Sequence, residues 1–342
     1  MPDPSRILVT GGTGFVGRHL TRALHRAYPD TDIIAAGYDD APLAASPGVR
    51  VIRADLCVQV EADALARLKP DWVVHLAARS SIVVSPAAAY ETMHVNLGGT
   101  LCLAQALRAH APISRLVFAG SGQVYGASFA SPVPLAEDAP IQPMNAYARS
   151  KAACEWVLRD ALADVCPLII LRLFNHIGPG QDQRFMLPSF AAQIARIEAG
   201  KSEPILRVGN LEATRDFLDI ADVIDAYLRA LALTTPEASA FEVFNICSGE
   251  GRRVDTMLDL LLSLSASTIK VTPDPARLRP DDIPRAVGAP SRFKARSGWA
   301  PKCSNRLDVT PVSHPAGTRV RSSSNAPNGR PSSSSFSVHR AA

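Results

Sequence analysis

Tyr147 and Lys151 stand four residues apart in the run Tyr147-Ala148-Arg149-Ser150-Lys151. On a helix, positions i and i+4 share a face, so the phenol and the ammonium are neighbours there. A phenol titrates near pH 10 and is a poor acid or base at pH 7, and a cation beside it favours the phenolate and brings it into range. The same pair also occurs on ordinary solvated helix faces. Ser121 adds a hydroxyl in Phe118-Ala119-Gly120-Ser121-Gly122-Gln123-Val124-Tyr125-Gly126, immediately after an apolar run that reads as a strand. Open parallel sheets place their active sites at the carboxyl ends of strands. A hydroxyl there can hydrogen-bond a substrate oxygen and steer it to Tyr147, and its plainer reading is a turn serine. The chemistry on offer is proton transfer at an oxygen.

A second constellation lies at the start of the chain. Thr10-Gly11-Gly12-Thr13-Gly14-Phe15-Val16-Gly17 follows a short apolar strand and opens a helix. Gly11 permits a tight turn, Gly14 lets the backbone approach a pyrophosphate, and Gly17 lets helix and strand pack closely. The helix N-terminus, at Phe15 and Val16, offers N–H groups and positive potential to phosphates. This pattern predicts a dinucleotide site, and Lys151 then also suits the ribose of a bound nicotinamide. The second strand ends Ala35-Ala36-Gly37-Tyr38-Asp39-Asp40, with glycine about where a ribose-binding acid often stands. Asp39 either reaches the ribose or is an ordinary loop acid, so NAD and NADP both stay open. Asp55-Leu56 suits an adenine contact, and Asp55 reads equally as a helix cap.

The elements that must position these groups alternate. Apolar strands are expected at 6–10, 32–36, 49–53, 72–76, 115–119 and 168–173, with helices at 17–26, 62–68, 95–107 and 147–162 between them. Short, near-continuous apolar strands separated by helices are βαβ units with both sheet faces covered. The fold class is therefore α/β, a Rossmann-type doubly wound parallel sheet. Beyond residue 173, helices at 187–197, 220–233 and 254–264 and strands at 241–246 and 269–272, with Arg-rich loops between them, predict a smaller C-terminal α/β substrate lobe. The expected organisation is a dinucleotide domain over 1–172, a partly interleaved substrate lobe over 173–303 and a disordered tail over 304–342.

Composition bounds the rest. Of 342 residues 47% are apolar, enough for a full core, and no apolar run approaches the ~20 residues of a membrane span. The start of the chain shows no secretory pattern, so a cytoplasmic protein is expected. Of 36 basic and 32 acidic residues, five and one fall from 304 onward, leaving the body balanced at 31 of each. A neutral body argues against a nucleic-acid surface. The tail's ten Ser and missing apolar period predict disorder. Six Cys, at 57, 102, 154, 166, 247 and 303, form no C-x-x-C pair and read as reduced core residues. No metal site is expected.

Taken in order, T-G-G-T-G-F-V-G, D-L at 55–56, H-L-A-A at 75–78, N-L-G-G-T at 96–100, S-G-Q-V-Y-G at 121–126 and Y-A-R-S-K at 147–151 resemble the extended short-chain dehydrogenase/reductase family. That family comprises nucleotide-sugar epimerases, dehydratases and reductases, and the resemblance runs from residue 6 to about 301. It implies Ser121, Tyr147 and Lys151 as the catalytic triad and NAD or NADP as cofactor. It implies Leu76, Ala77, Ala78 and Asn96 along the dinucleotide, and Ser81, Gln123, Asn175 and Arg184 toward the substrate. Arg215 and Arg279 are the arginines it implies for the sugar-nucleotide diphosphate, a use that suits bidentate guanidinium groups. Arg215 reads alternatively as a structural partner of Asp216 or Asp219, and His176 as a packed loop residue.

R-L-F-N-H-I-G-P-G-Q at 172–181, A-A-Q-I-A-R-I-E-A-G at 191–200, T-R-D-F-L-D-I-A-D-V at 214–223 and N-I-C-S-G at 245–249 look most like the branch that reduces GDP-linked 4-keto-6-deoxyhexoses. That resemblance implies reduced cofactor, a GDP-4-keto sugar substrate and a homodimer built on the helices at 95–107 and 147–162. A 4,6-dehydratase needs a further acid/base, typically a carboxylate just after the catalytic hydroxyl. Gly122-Gln123 cannot supply it, which favours reduction over dehydration. A 4,6-dehydratase or another nucleotide-sugar epimerase or dehydratase, and more remotely a non-catalytic dinucleotide-binding regulator, are the other readings.

Overall fold

A computed structural model of the chain describes residues 3–38, 47–80, 86–111, 115–233, 241–278 and 282–302. Asp39, Ser81, Arg279, Cys303 and the tail over 304–342 lie outside the described residues.

The central sheet is built from β1 (Arg6–Thr10), β2 (Asp32–Gly37), β3 (Val49–Arg53), β4 (Trp72–His75), β5 (Arg115–Ser121), β6 (Leu168–Leu173) and a strand at Phe241–Ile246. All of its pairings are parallel, and β1 lies between β2 and β4. Between the strands run α1 (Phe15–Ala27), α2 (Gln59–Ala66), α3 (Pro86–Met93), α4 (Gly99–His110) and α5 (Ala146–Leu162). Strand alternation decides which face each residue serves. Ile7 and Val9 of β1 join Leu20 and Leu24 of α1, with Val223 and Tyr227 of a later helix, in one core. Leu8, between them, joins Leu103, Leu107 and Leu158 of α4 and α5 in the other. Both sheet faces are therefore covered, as near-continuous apolar strands require.

The remaining elements are β7 (Asn175–Ile177), α6 (Met186–Glu198), β8 (Ile205–Val208), β9 (Thr214–Asp219), α7 (Ile220–Ala232), β10 (Phe241–Ile246), β11 (Gly251–Arg253), α8 (Val254–Ser263), β12 (Lys270–Pro273), β13 (Arg285–Ala286) and α9 (Ser291–Ser297). β9 carries a small sheet with β7, β11 and β13, and β8 pairs with β12. α6 and α8 close a third core around Phe190, Phe217 and Met257. β10 leaves this region to pair with β6, and α7 covers the central sheet.

The structure differs from the sequence reading in three places. The single helix expected over 95–107 is a wide π-turn at His94–Gly98 followed by α4, and α3 precedes it. Asn96 sits in that turn, with its side chain turned to bonds outside the helix. Residues 214–219, read as an Arg-rich loop, form β9, paired with β7, β11 and β13, and its Asp216 is fully buried and accepts from the Ser248 and Gly249 amides. Cys57 and Cys102 are half-buried rather than core, while Cys154, Cys166 and Cys247 are buried.

Candidate active site

The Gly loop meets the segment after β4 at the point where β1's neighbours diverge. Gly11 has φ +67°, and a Cβ on it would stand 2.7 Å from the Ala77 amide nitrogen. A Cβ on Gly17 would stand 2.3 Å from the Gly11 carbonyl oxygen. Gly12, which the spacing did not single out, is equally tight, with Ala35 at 2.7 Å. At Gly14 the nearest atom to such a Cβ is the Gly11 oxygen at 3.2 Å, so that position has the most room of the four. Gly14 caps α1 with extended backbone, no side chain caps the first turn, and no acid stands in it. The positive end of α1 is thus left for an external anion. Leu76 and Ala77 lie against this loop, with Ala78 next in the chain, and the Leu76 amide donates to the Thr10 carbonyl at 3.0 Å.

Asp55 and Leu56 follow β3. Asp55 Oδ1 accepts from the Cys57 amide at 2.9 Å in the turn entering α2, and Leu56 is buried against α4. Asp55 thus closes a turn ahead of α2 and is not its cap: the N-cap position is Val58, with no side-chain bond. Phe15 stacks on His176, ring centroids 6.1 Å apart and planes within 3°, which makes His176 a packing partner of the Gly loop. Its Nδ1 lies 3.0 Å from the Phe174 carbonyl oxygen.

The three chemical groups converge at the carboxyl end of β5. Ser121 is its last residue, and Ser121 Oγ accepts the Gln123 amide at 3.2 Å. Asn145 caps α5 by accepting the Ala148 amide at 2.9 Å, which puts Tyr147 in the first turn. Tyr147 is half-buried and hydrogen-bonds Ser121; burial raises its phenol above 10, and the Ser121 bond opposes the rise. Lys151, one turn on, is 3% exposed and donates to the Ala119 carbonyl at 2.8 Å. Its ammonium lies 4.6 Å from the centre of the Phe118 ring. Burial pushes Lys151 down to about 8, against the pull of Cys154 and Glu155. At Tyr147 burial is the larger influence, and the opposing one comes from Ser121.

Behind the site stands a buried polar cluster that the sequence reading missed. Arg172 binds Glu155 at 2.8 Å, with both side chains at most 5% exposed. Arg172 also donates to the Tyr125 hydroxyl at 2.9 Å, and that hydroxyl donates to Asn245 at 2.7 Å. Glu155 continues the Tyr147–Lys151 spacing by one further helical step, which was the available signal.

Gln123 and Asn175 line a small cavity with Phe129, Leu173, Phe174 and Ala286. Gly122, the residue after Ser121, is also in the lining, while Ser121 itself is not. Arg184 is not among the lining residues; it pairs with Asp182 at 2.9 Å on the surface. Arg215 is not among them either. It pairs with Asp282 at 2.5 Å and donates to the Ile283 carbonyl. Of the acids named beside it, Asp216 accepts from Ser248 and Gly249, and Asp219 caps α7 through the Ala221 amide.

A parallel doubly wound sheet, a glycine turn at its switch point and a Ser, Tyr and Lys at the end of β5 define a dinucleotide-dependent class of protein. The model of the NAD dependent epimerase/dehydratase family matches residues 7–247, and the chain belongs to that family. Among its relatives, the GDP-6-deoxy-D-mannose reductase of Pseudomonas aeruginosa is 34% identical over 92% of this chain and 98% of that protein. A UDP-glucose 4-epimerase of Azospirillum brasilense is 31% identical over 89% of each. The solved structure of RMD from Pseudomonas aeruginosa complexed with NADPH superposes with a TM-score of 0.71 at 34% identity, covering 87% of this chain and 94% of that one.

Proposed function

We propose that the protein reduces the 4-keto group of GDP-4-dehydro-6-deoxy-D-mannose to give GDP-D-rhamnose, using NADPH or NADH. The observation that carries the reading is Ser121 bonded to Tyr147 and followed by Gly122 and Gln123, which line a small cavity and bring no carboxylate. The Gly loop suits the dinucleotide, since Gly11, Gly12 and Gly17 exclude any side chain and the first turn of α1 has no acid. When bound, the reduced dinucleotide supplies the hydride.

The chain's own groups do the rest. Ser121 Oγ orients the ketone oxygen, and Tyr147 transfers its proton to that oxygen as charge develops there. A buried, protonated phenol suits donation rather than abstraction. Lys151 holds positive charge beside the site up to about pH 8. Asn175 and Gln123 contact the sugar, with Arg184, Arg215, Arg279 and Ser81 toward the nucleotide; Arg215 must then leave or share Asp282. A dehydratase removes the C5 proton and expels the C6 hydroxyl, steps for which Gly122-Gln123 provides no base. Asp39, Asp55 and Asn96 remain on the dinucleotide side of the proposal.

The working unit is a cytoplasmic homodimer paired through α4 and α5, whose Leu101 and Trp156 are exposed apolar residues. Incubation with the GDP-4-keto sugar tests the reading: NADPH absorbance should fall in step with a reduced GDP-6-deoxyhexose. Sugar isomerisation without net oxidation of NADPH would mean an epimerase.

A further inference from the structure

Thr10, His75, Thr100, Asn96 and Ser150 form one hydrogen-bonded chain between the Gly loop and the helix that carries Tyr147. Thr10 Oγ1 lies 2.7 Å from His75 Nδ1, and His75 Nε2 lies 2.9 Å from Thr100 Oγ1. Thr100 Oγ1 donates to the Asn96 carbonyl at 2.6 Å. The Asn96 amide donates to Ser150 Oγ at 2.8 Å, and Ser150 Oγ donates to the Tyr147 carbonyl at 2.8 Å. Asn96 also accepts the Arg79 amide at 2.8 Å, tying in the segment after β4. All five residues are at most 1% exposed, so water does not substitute for these bonds.

Counting protons fixes the direction of the chain. The single proton of Thr100 goes to Asn96, so His75 Nε2 must be the donor toward Thr100. His75 Nδ1 is then an acceptor and receives the single proton of Thr10. The Thr10 oxygen keeps a lone pair for the Ala77 amide at 3.5 Å. One neutral tautomer satisfies every group. Burial, with Lys151 nearby, pushes the imidazole down to about 3, so the ring keeps this state at working pH. Asn96 lies in the π-turn at His94–Gly98, where its carbonyl takes the i−4 bond from Thr100 and its side chain reaches α5. Such turns often mark functional sites.

We propose that His75 is a positioning residue for this site: through Thr100 and Asn96 it sets where the first turn of α5, with Tyr147 and Lys151, lies relative to the Gly loop. Only the activity arm of its test rests on the reductase reading.

Thr100→Val keeps the volume and removes both links, while Thr100→Ser keeps them. Hydrogen exchange followed by mass spectrometry should show amides at 145–151 exchanging about tenfold faster in Thr100→Val. α6 and α8 should stay at wild-type protection, and Thr100→Ser should restore 145–151. Unchanged exchange at 145–151, or an equal rise in α6 and α8, overturns the proposal. Where the wild type reduces the ketone, Thr100→Val should also lower kcat about tenfold or more, with KM for the sugar nucleotide near its original value. An unchanged kcat overturns the proposal as well. His75→Phe should repeat the pattern. A wild type that binds dinucleotide but reduces no ketone defeats the functional reading alone, and the exchange comparison then decides the positioning role.

Discussion

Tyr147 carries a proton that burial holds on the phenol and that Ser121 aims. Replacing it with Phe removes the proton and little else. Tyr147→Phe should lower kcat by roughly 10²–10⁴, the usual size of a general-acid contribution, with dinucleotide affinity retained in a fluorescence titration. Near wild-type turnover would remove Tyr147 from the chemistry. Lys151 adds a pH signature. Its folded value, about 8, lies below the ordinary lysine value of 10.5. The ammonium is therefore present below pH 8 and lost as pH rises through it, so kcat/KM should decline above about pH 8 while the phenol still holds its proton. A flat profile to pH 10 would contradict this. Tyr147, Lys151 and Ser121 were legible because residue type and short spacing carry their chemistry. Arg215 was not: its partner Asp282 is 67 residues away, and only the packing of β9 brings them together. His75 was visible within H-L-A-A, but its partners come from β1 and α4, which no local pattern links.

At the scale of elements, the β1–α1 turn and α5 each have a stringent requirement. Gly17→Ala places a methyl 2.3 Å from the Gly11 oxygen, so the turn must open. Dinucleotide affinity should fall by at least about tenfold in the same titration, a loss of ~1.4 kcal/mol. Unchanged affinity would show that the loop does not cradle the phosphates. Behind α5, Glu155→Gln leaves the Arg172 guanidinium buried beside a neutral amide. Urea unfolding should report a loss of about 3–5 kcal/mol, and replacing both partners with apolar residues should recover much of it. A loss below ~1 kcal/mol would mean the pair is solvated. The bounds of β1 and β6 could be read from sequence because each is a near-continuous apolar run. β7, β11 and β13 are two or three residues long and carry polar side chains, too short for a period to show.

For the whole molecule, neutrality of the body and a fully covered sheet leave exposed apolar side chains as a marker of contact. Tyr90, Leu101 and Trp156 are 73%, 42% and 58% exposed on α3, α4 and α5. A second copy of the chain is the proposed cover. Trp156→Lys should shift light-scattering mass from twice the chain's 36.4 kDa toward one chain at micromolar concentration. A wild type that is monomeric under those conditions would contradict the dimer. The return of β10 to the central sheet was not legible: it reads as an ordinary strand, and nothing local says that it joins β6.

The most direct test of the proposed chemistry follows the hydride itself. The protein would be supplied with NADPH deuterated at C4 of the nicotinamide and with the GDP-4-keto-6-deoxyhexose, and the sugar product analysed by NMR and mass spectrometry. The account predicts one deuterium at C4 of the sugar, one NADPH consumed per product, and loss of both in Tyr147→Phe. Product without deuterium at C4, or conversion of the sugar nucleotide with no NADPH consumed, would contradict it.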